Sequence, residues 1–321
     1  MVDQESSKSG QERKKPRQGV QGHRQGGEGR ADLHTHTKYS GFTRLFNIPF
    51  PESIATPADV VDEAVRKGLD VVGISDHDTI EGSLQAVKYA KDGKLDICVV
   101  PGEEITSKDG EILGWFIQEH IQPGLSAEET VDAIHRQGGL AVAPHPFSYH
   151  CPSLDDRVHA LRLDGIEVLN AGHRDGYINR IAEANSKGLA RTGGSDAHTA
   201  RVVGTAYTSF NGDNEEDLFK DLKQRSTKPG GTTTTLRQYI SWSFEVAQHV
   251  AKDLLRPELY IDENDPLHLM HEMRRRNKML AVVGCLGYMN TPIPVLGGAI
   301  AESVLRSKGK RKWQEKTKVR Y

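Results

Sequence analysis

The feature that most constrains the fold is an alternation of short apolar strands, polar turns and amphipathic helices between Asp32 and about Phe210. The helices carry clear end signals. Thr56 and Pro57 favour the start of one helix, and Gly68 favours its end. Strands that alternate with helices in this way are typical of a parallel sheet covered by helices. The sequence therefore predicts an α/β fold.

Polar residues follow the predicted strands at their C-terminal ends. The first strand runs into a His-x-His pair, and the strand at residues 97–100 leads to Glu104. In a closed β/α barrel these strand ends meet on one face, where active sites form. Imidazoles and carboxylates together are typical ligands of multinuclear Zn, Mn or Fe sites. Six segments supply candidate metal ligands: His34, His36, His77, Glu104, His145, His173, Asp196 and His198. His150, in a loop beyond His145, stays undecided.

The composition is that of a globular chain, with 321 residues, 36% hydrophobic residues and a formal net charge of -2. Its three cysteines form no Cys-x-x-Cys pair, which favours a reducing, cytoplasmic location. Residues 1–30 are rich in Gly, Lys and Arg and have few apolar residues, so we expect a disordered tail there. Its basic cluster is either a solvated segment or a contact for nucleic acid or an anionic surface.

Residues 231–321 predict a helical C-terminal extension with a basic tail. Within this extension, residues 279–301 are uncharged and are flanked by basic clusters at 274–276 and 308–312. Pro292 and Pro294 favour two short helices broken by a loop. Three interpretations stay open: packing on the domain or an oligomer contact, peripheral membrane contact or nonspecific polyanion binding, and a membrane span.

Five motifs in order resemble those of the PHP (polymerase and histidinol phosphatase) family. They are HTHT at 34–37, SDHDT at 75–79, PGEEIT at 101–106, PHPF at 144–147 and GSDAH at 194–198. The resemblance implies a distorted (β/α)7 TIM-like barrel as a metal-dependent hydrolase domain at residues 31–230. It also implies two or three divalent metal ions and the hydrolysis of phosphate esters.

Carried over position by position, the resemblance implies three groups of ligands. His34, His36, Glu104 and Asp196 would hold a first metal. Glu104 would bridge to a second metal bound by His145 and His173, and His77 with His198 would hold a third. Many family members have an Asp where this chain has Gly41, so both a two-metal and a three-metal centre stay open.

Two metals bridged by Glu104 would acidify a shared water, so that a metal-bridging hydroxide attacks phosphorus. Glu104, Asp196 and Asp76 are the predicted catalytic carboxylates. Asp32 and Asp76 are candidates for orienting imidazole N–H groups, and Asp32 is equally a candidate for capping a turn. Four cations beside the motifs are candidate phosphate-binding groups: Lys38, Arg44, Arg174 and Arg201.

The leading functional hypothesis is a metal-dependent phosphoesterase that hydrolyses a small phosphorylated metabolite or a nucleotide. A second hypothesis is an exonuclease-type phosphodiesterase that acts on nucleic-acid ends, which the basic tails would serve. The third is a non-catalytic metal-binding module. The aromatic and Pro-rich insertion at residues 44–51 predicts a lid or wall over the pocket.

Overall fold

The computed structural model describes residues 27–45, 47–256 and 265–318. Its strands are β1 (Glu28–Asp32), β2 (Phe42–Leu45), β3 (Ile48–Pro51), β4 (Val71–Ile74), β5 (Cys98–Ser107), β6 (Gly110–Trp115), β7 (Leu140–Ala143), β8 (Gly165–Asn170), β9 (Ala190–Gly194), β10 (Ala206–Asn211) and β11 (Lys228–Gly231). Its helices are α1 (Pro57–Lys67), α2 (Glu81–Gly93), α3 (Ala127–Arg136), α4 (Ile178–Ala184), α5 (Glu215–Gln224), α6 (Leu236–Leu255), α7 (Leu269–Glu272), α8 (Arg275–Met289) and α9 (Ile293–Lys318).

Nine strands form one curved sheet in the order β11, β10, β1, β4, β5, β6, β7, β8, β9. The two ends of this sheet meet through Thr208 of β10. Its hydroxyl accepts from the amide of Gly193 in β9 at 3.1 Å and donates to the carbonyl of the same residue at 3.0 Å. The predicted TIM-like barrel with a C-terminal helical extension is confirmed as a nearly closed barrel.

The sheet is mixed, whereas the alternation of strands and helices predicts a parallel one. β5 continues past the predicted end at residue 100, because its second half pairs antiparallel with β6 from Gly102 to Ser107. β10 also runs antiparallel to β1. This pairing starts at Glu28, so residues 28–30 belong to the sheet and not to the predicted tail. Residues 1–26 of that tail lie outside the described part of the chain.

Helix ends follow the sequence signals closely. Thr56 and Asp59 form a reciprocal capping box at the start of α1, and Gly68 ends the helix with a φ of +66°. The inner face of α1 carries Val60 and Val61, which are fully buried in one core cluster with strand β4. These helices hold the strands in place, so that the C-terminal strand ends form a fixed rim.

The C-terminal extension forms a core of its own beside the barrel. Val250 of α6, Met270 of α7 and Cys285 of α8 are buried together, and Phe50 of the β2–β3 hairpin packs against them. The predicted lid segment is therefore a hairpin that packs on the extension. In the described residues, no single helix is long and apolar enough to cross a bilayer, although α8 and α9 meet that test as a pair bent by 81°.

Candidate metal centre

His34 and His36 lie just beyond the C-terminal end of β1, where alternate side chains of an extended chain face the same side. The amide of His36 donates to the carbonyl of Ala197 at 2.9 Å, which ties this segment to the loop after β9. Both imidazoles are buried. Their Nε2 atoms lie 3.3 and 3.4 Å from Oε2 of Glu104, so the predicted pair faces one carboxylate.

Glu104 lies at the centre of the site and is fully buried on β5. Its Oε2 atom also lies 3.3 Å from Nδ1 of His77, and its Oε1 atom lies 3.0 Å from Nε2 of His145. One carboxylate thus contacts four imidazoles, and its two oxygens meet different members of the set. This arrangement suits a carboxylate that bridges two cations.

Asp196 follows β9 on the opposite side of the same imidazoles. Its Oδ1 atom lies 3.3 Å from Nε2 of His36 and 3.5 Å from Nδ1 of His198. Its backbone has a φ of +51°. Sparsely populated backbone conformations cost on the order of 1–3 kcal/mol and cluster at functional sites. Asp196 is thus held in a strained position that places its carboxylate against the histidines.

A second group forms around His173. The ligand atoms of His145, His173 and Cys151 all lie within 4.8 Å of one another. The Nδ1 atom of His173 is buried and has no hydrogen-bond partner. The ring of His150, undecided from sequence, lies 4.6 Å from the ring of His173 and is tilted against it by 46°. Cys151 carries no motif signal and joins the group only in the folded chain.

The charges of the site are set by burial and by close contacts. Burial opposes ionisation of Glu104 and Asp196, but His34 lowers the pKa of both carboxyls well below the usual values. Burial and neighbouring imidazoles lower the pKa of His36 and of His173 well below the usual value. These two carboxylates are therefore ionised and the imidazoles of His36 and His173 are neutral, which are the forms that bind metal.

Burial alone would lower the pKa of His145, but its contact with Glu104 outweighs burial and raises the pKa to about 9. Glu167, Asp196 and Glu104 likewise overcome the effect of burial at His34 and raise its pKa well above the usual value. Protons on these two imidazoles therefore balance the buried carboxylates. Bound divalent cations would neutralise the buried carboxylates in place of these protons. The donor set and the unpartnered nitrogen of His173 therefore fit metal ions.

The chain is similar in sequence to a family model and to several known proteins. A family model described as PHP-associated matches residues 179–227. An uncharacterized protein of Methanocaldococcus jannaschii is 48% identical over 153 residues, which cover 48% of this chain and 88% of that protein. A second uncharacterized protein of the same organism is 32% identical over 115 residues, or 36% of this chain and 99% of that protein.

Two solved structures share the fold. A two-domain protein of Bacteroides vulgatus, described as containing a predicted PHP-like metal-dependent phosphoesterase, superposes with a TM-score of 0.52 at 20% identity. The match covers 67% of this chain and 68% of that chain. PsfC from Pseudomonas syringae also has a TM-score of 0.52, at 19% identity, over 69% of this chain and 98% of its own.

The chain belongs to the PHP family.

Three carboxylates of this PHP site lie outside the predicted set. Glu167 of β8 and Glu111 of β6 are buried, and each interrupts an apolar strand, which is the one sequence signal that marks them. Burial and the nearby Glu104 raise the pKa of Glu111 to about 8. Glu52 has no such signal. It follows β3, and its Oε2 atom lies 3.4 Å from Nε2 of His77.

Hydrogen bonds orient the His-x-His pair of the PHP motif. Nδ1 of His34 donates to Oε1 of Glu167 at 2.9 Å, because an ionised carboxylate only accepts. Nδ1 of His36 lies 3.0 Å from Oγ of Ser40, which donates its own proton to Asp76 at 2.7 Å. Both contacts place a proton on Nδ1 and leave Nε2 available as a metal ligand.

The two aspartates predicted as orienting groups differ in their contacts. Asp76 reaches His36 only through Ser40, so its action on the imidazole is indirect. Asp32 accepts from the backbone amides of Ser195 at 3.0 Å and Gly204 at 2.6 Å. These amides are distant in sequence, so Asp32 ties β1 to the chain after β9 rather than only capping a turn. Its hydrogen bonds to backbone amides contradict the interpretation of Asp32 as an imidazole-orienting group.

The four predicted cations are not gathered around the site. Lys38 pairs with Asp265 at 2.6 Å, and Arg201 pairs with Glu245 at 3.1 Å, both of them carboxylates of the extension. Arg44 is exposed on the β2–β3 hairpin. The guanidinium of Arg174 lies over the ring of Tyr239 at 4.6 Å, and its buried Nε atom has no hydrogen-bond partner. Of the four, Arg174 contacts a residue of the cleft described below, Tyr239.

A cleft of about 200 Å³ leads to the metal centre of the PHP barrel. One wall consists of candidate ligands and their neighbours, and the facing wall comes from α6 of the extension. The ring of Trp242 on α6 lies 6.0 Å from that of His198 and 5.3 Å from that of Tyr239. Among the residues that line the cleft are His173, Asp196, His198, Thr234, Tyr239 and Trp242.

Proposed function

We propose that this chain is a metal-dependent phosphoesterase that hydrolyses a phosphate ester of a small metabolite or nucleotide. The observation that carries this proposal is the contact of Glu104 with four imidazoles, at 3.0 to 3.4 Å, at the inner end of a cleft. Burying so many titratable groups for a purely structural role would cost folding free energy, because each group loses its hydration.

We assign the ligands of the proposed metals in three groups. His34, His36, Glu104 and Asp196 form the first group, and Glu104, His145 and His173 form the second. His77 and His198 form the third, and Glu52 supplies the carboxylate that is missing at Gly41. The chemistry that such cations provide is polarisation of the phosphoryl group and acidification of water.

The chain itself contributes position and charge. Glu167 and Ser40 orient the imidazoles, and the carboxylates of Glu104 and Asp196 stay ionised beside them. Arg174 is our candidate for binding phosphate oxygens, because its Nε atom has no hydrogen-bond partner and its guanidinium lies over Tyr239 of the cleft wall. The aromatic wall of Tyr239 and Trp242 offers an apolar surface for the organic group of the ester.

The experiment is metal analysis of the purified protein followed by turnover assays with added Mn²⁺. The substrates are a chromogenic phosphomonoester, a phosphodiester, a nucleoside bisphosphate and a short RNA. We expect hydrolysis of small esters, loss of turnover in His36→Ala and Asp196→Ala, and near-normal turnover in His159→Ala on the barrel surface. Stoichiometric metal without cleavage of any substrate would refute the enzyme proposal. Cleavage of RNA alone would favour the nuclease.

A further inference from the structure

The α8–α9 region presents an apolar surface to solvent. Between residues 279 and 301 the chain has no charged side chain. Met279, Val283 and Ile300 expose 60%, 66% and 66% of their surfaces. Soluble monomers rarely expose contiguous apolar patches of this kind, and such patches mark contact sites for proteins or membranes.

Helix α8 is apolar on both of its faces. Ala281 and Cys285 are buried in the core of the extension. The opposite face carries Leu280, Val283 and Leu286, all exposed. A surface helix of a soluble protein has polar residues on its outer face, whereas a helix that is apolar all round is surrounded by an apolar medium.

Helix α9 touches the protein along a narrow seam in its first half. Pro294 is buried, and Gly298 packs against Leu236 and Ile240 of α6. The exposed apolar residues are Ile293, Val295, Leu296, Ile300 and Val304. With about 100° between successive residues, these positions cover about half of the circumference of the helix. A protein partner covers one face of a helix, whereas fluid hydrocarbon can surround a convex apolar surface.

Basic residues flank this apolar segment on both sides. Residues 274–276 are three exposed arginines at the start of α8, and Lys308 and Lys310 are exposed further along α9. Basic groups next to an apolar segment are attracted to anionic headgroups near the bilayer surface. The charge pattern therefore favours an anionic bilayer over a second copy of this chain, because two copies of the same basic surface would repel each other.

We propose that residues 279–304 bind an anionic lipid surface, with α8 and the first half of α9 lying in the interfacial layer. The bend of 81° between the two helices and the short break at residues 290–292 suit a shallow, non-spanning insertion. This inference is independent of the proposed phosphoesterase activity.

The proposed lipid-binding surface is joined to the cleft. Helix α6 packs against α8 and also supplies Tyr239 and Trp242 to the cleft wall. Farther along α9, the backbone carbonyl of Leu305 accepts from the hydroxyl of Tyr149 at 2.6 Å, and Gly309 packs against Asp175 of the barrel. The cleft is therefore held near any bilayer to which α8 and α9 bind.

The test is vesicle flotation of the full-length protein. We expect binding to vesicles of phosphatidylcholine with phosphatidylglycerol, at least tenfold weaker binding to pure phosphatidylcholine, and weaker binding at high salt. The double variant Val283→Asp/Ile300→Asp should bind at least tenfold less. Lys308→Gln/Lys310→Gln should lose part of the preference for anionic vesicles.

Leu45→Asp is the matched control, because Leu45 is 55% exposed on the β2–β3 hairpin, outside the proposed surface. Its binding should equal that of the wild type. Metal content, measured in every variant, reports whether the barrel is folded. The proposal is overturned if the wild type binds neither vesicle, or if light scattering shows a stable dimer that Val283→Asp/Ile300→Asp converts to monomers without any change in flotation.

Discussion

The carboxylate of Glu52 lies 3.4 Å from Nε2 of His77, at the point where the β2–β3 hairpin returns the chain to Gly41. The amide of Glu52 donates to the carbonyl of Gly41 at 3.1 Å. Position 41 lacks the Asp of many family members, and the hairpin brings the carboxylate of Glu52 close to Gly41 and His77. We propose that Glu52 takes the place of that Asp as a metal ligand.

Glu52→Gln should remove one metal ion per chain, or lower the affinity of the most weakly bound ion at least tenfold. The reason is that a neutral amide replaces the anionic ligand beside His77. Equilibrium dialysis against Mn²⁺, followed by elemental analysis, measures both the number and the affinity. Glu81→Gln, at the exposed start of α2, is the control. The same stoichiometry and affinity in Glu52→Gln and wild type would contradict the assignment.

Glu167→Gln should weaken metal binding by about 10–100-fold, the usual effect of removing a carboxylate that orients a ligating histidine. Glu167 accepts from His34 through Oε1 at 2.9 Å and from the amide of His145 through Oε2 at 2.8 Å. An amide at this position turns one of the two acceptors into a donor. Competition with a chromogenic chelator gives the affinities, and Glu183→Gln on exposed α4 should match the wild type.

Metal binding at pH 7 should release protons and should strengthen as the pH rises toward 9. Although burial lowers the pKa of His145, Glu104 raises it to about 9, so the metal-free protein carries that proton at pH 7. A metal must displace the proton, and the competition weakens as the pH approaches the pKa. Calorimetry in buffers of different ionisation enthalpy counts the protons. A binding enthalpy that is the same in every buffer would show that metal binding does not displace a proton.

Tyr239→Ala should raise KM for esters that carry a planar ring and leave kcat unchanged. The ring of Tyr239 is 45% exposed in the cleft wall, and an aromatic contact of this type contributes about 0.5–1.5 kcal/mol, or roughly 2- to 13-fold in KM. Tyr239→Phe should keep the wild-type KM. Steady-state kinetics with a nucleotide and with glycerol phosphate provide the comparison, and an equal rise for both substrates would argue against a ring-binding wall.

Gly82→Ala should lower the melting temperature, although Ala is preferred to Gly inside a helix by about 1 kcal/mol. A Cβ atom at Gly82 of α2 would collide with the carboxylate of Asp76 and would lie 2.7 Å from Oγ1 of Thr37. Both groups are buried and hydrogen-bonded to each other, so neither can move freely. Thermal unfolding followed by circular dichroism measures the change. Gly284→Ala on α8 has free space and should not lower the melting temperature.

Local signals in the sequence were enough to predict an α/β fold and the neighbourhood of the candidate ligands, whereas the barrel was implied by the resemblance to a family. Thr56 and Gly68 act within one helix, and most of the candidate ligands follow an apolar strand. The C-terminal ends of such strands meet on one rim for reasons of topology. His34, Glu104 and Asp196 therefore come together as expected, although they lie up to 162 residues apart.

The groups that support and surround the candidate ligands could be identified only in the folded chain. Glu167 lies beside His34 at an irregularity in the β8–β9 pairing, between Glu167 and Leu169. Trp242 of α6 contributes to the cleft wall. The β2–β3 hairpin likewise sets the place of Glu52. Such contacts depend on register, side-chain rotamers and the packing of distant elements, and these are fixed by close packing of the whole molecule rather than by any local pattern.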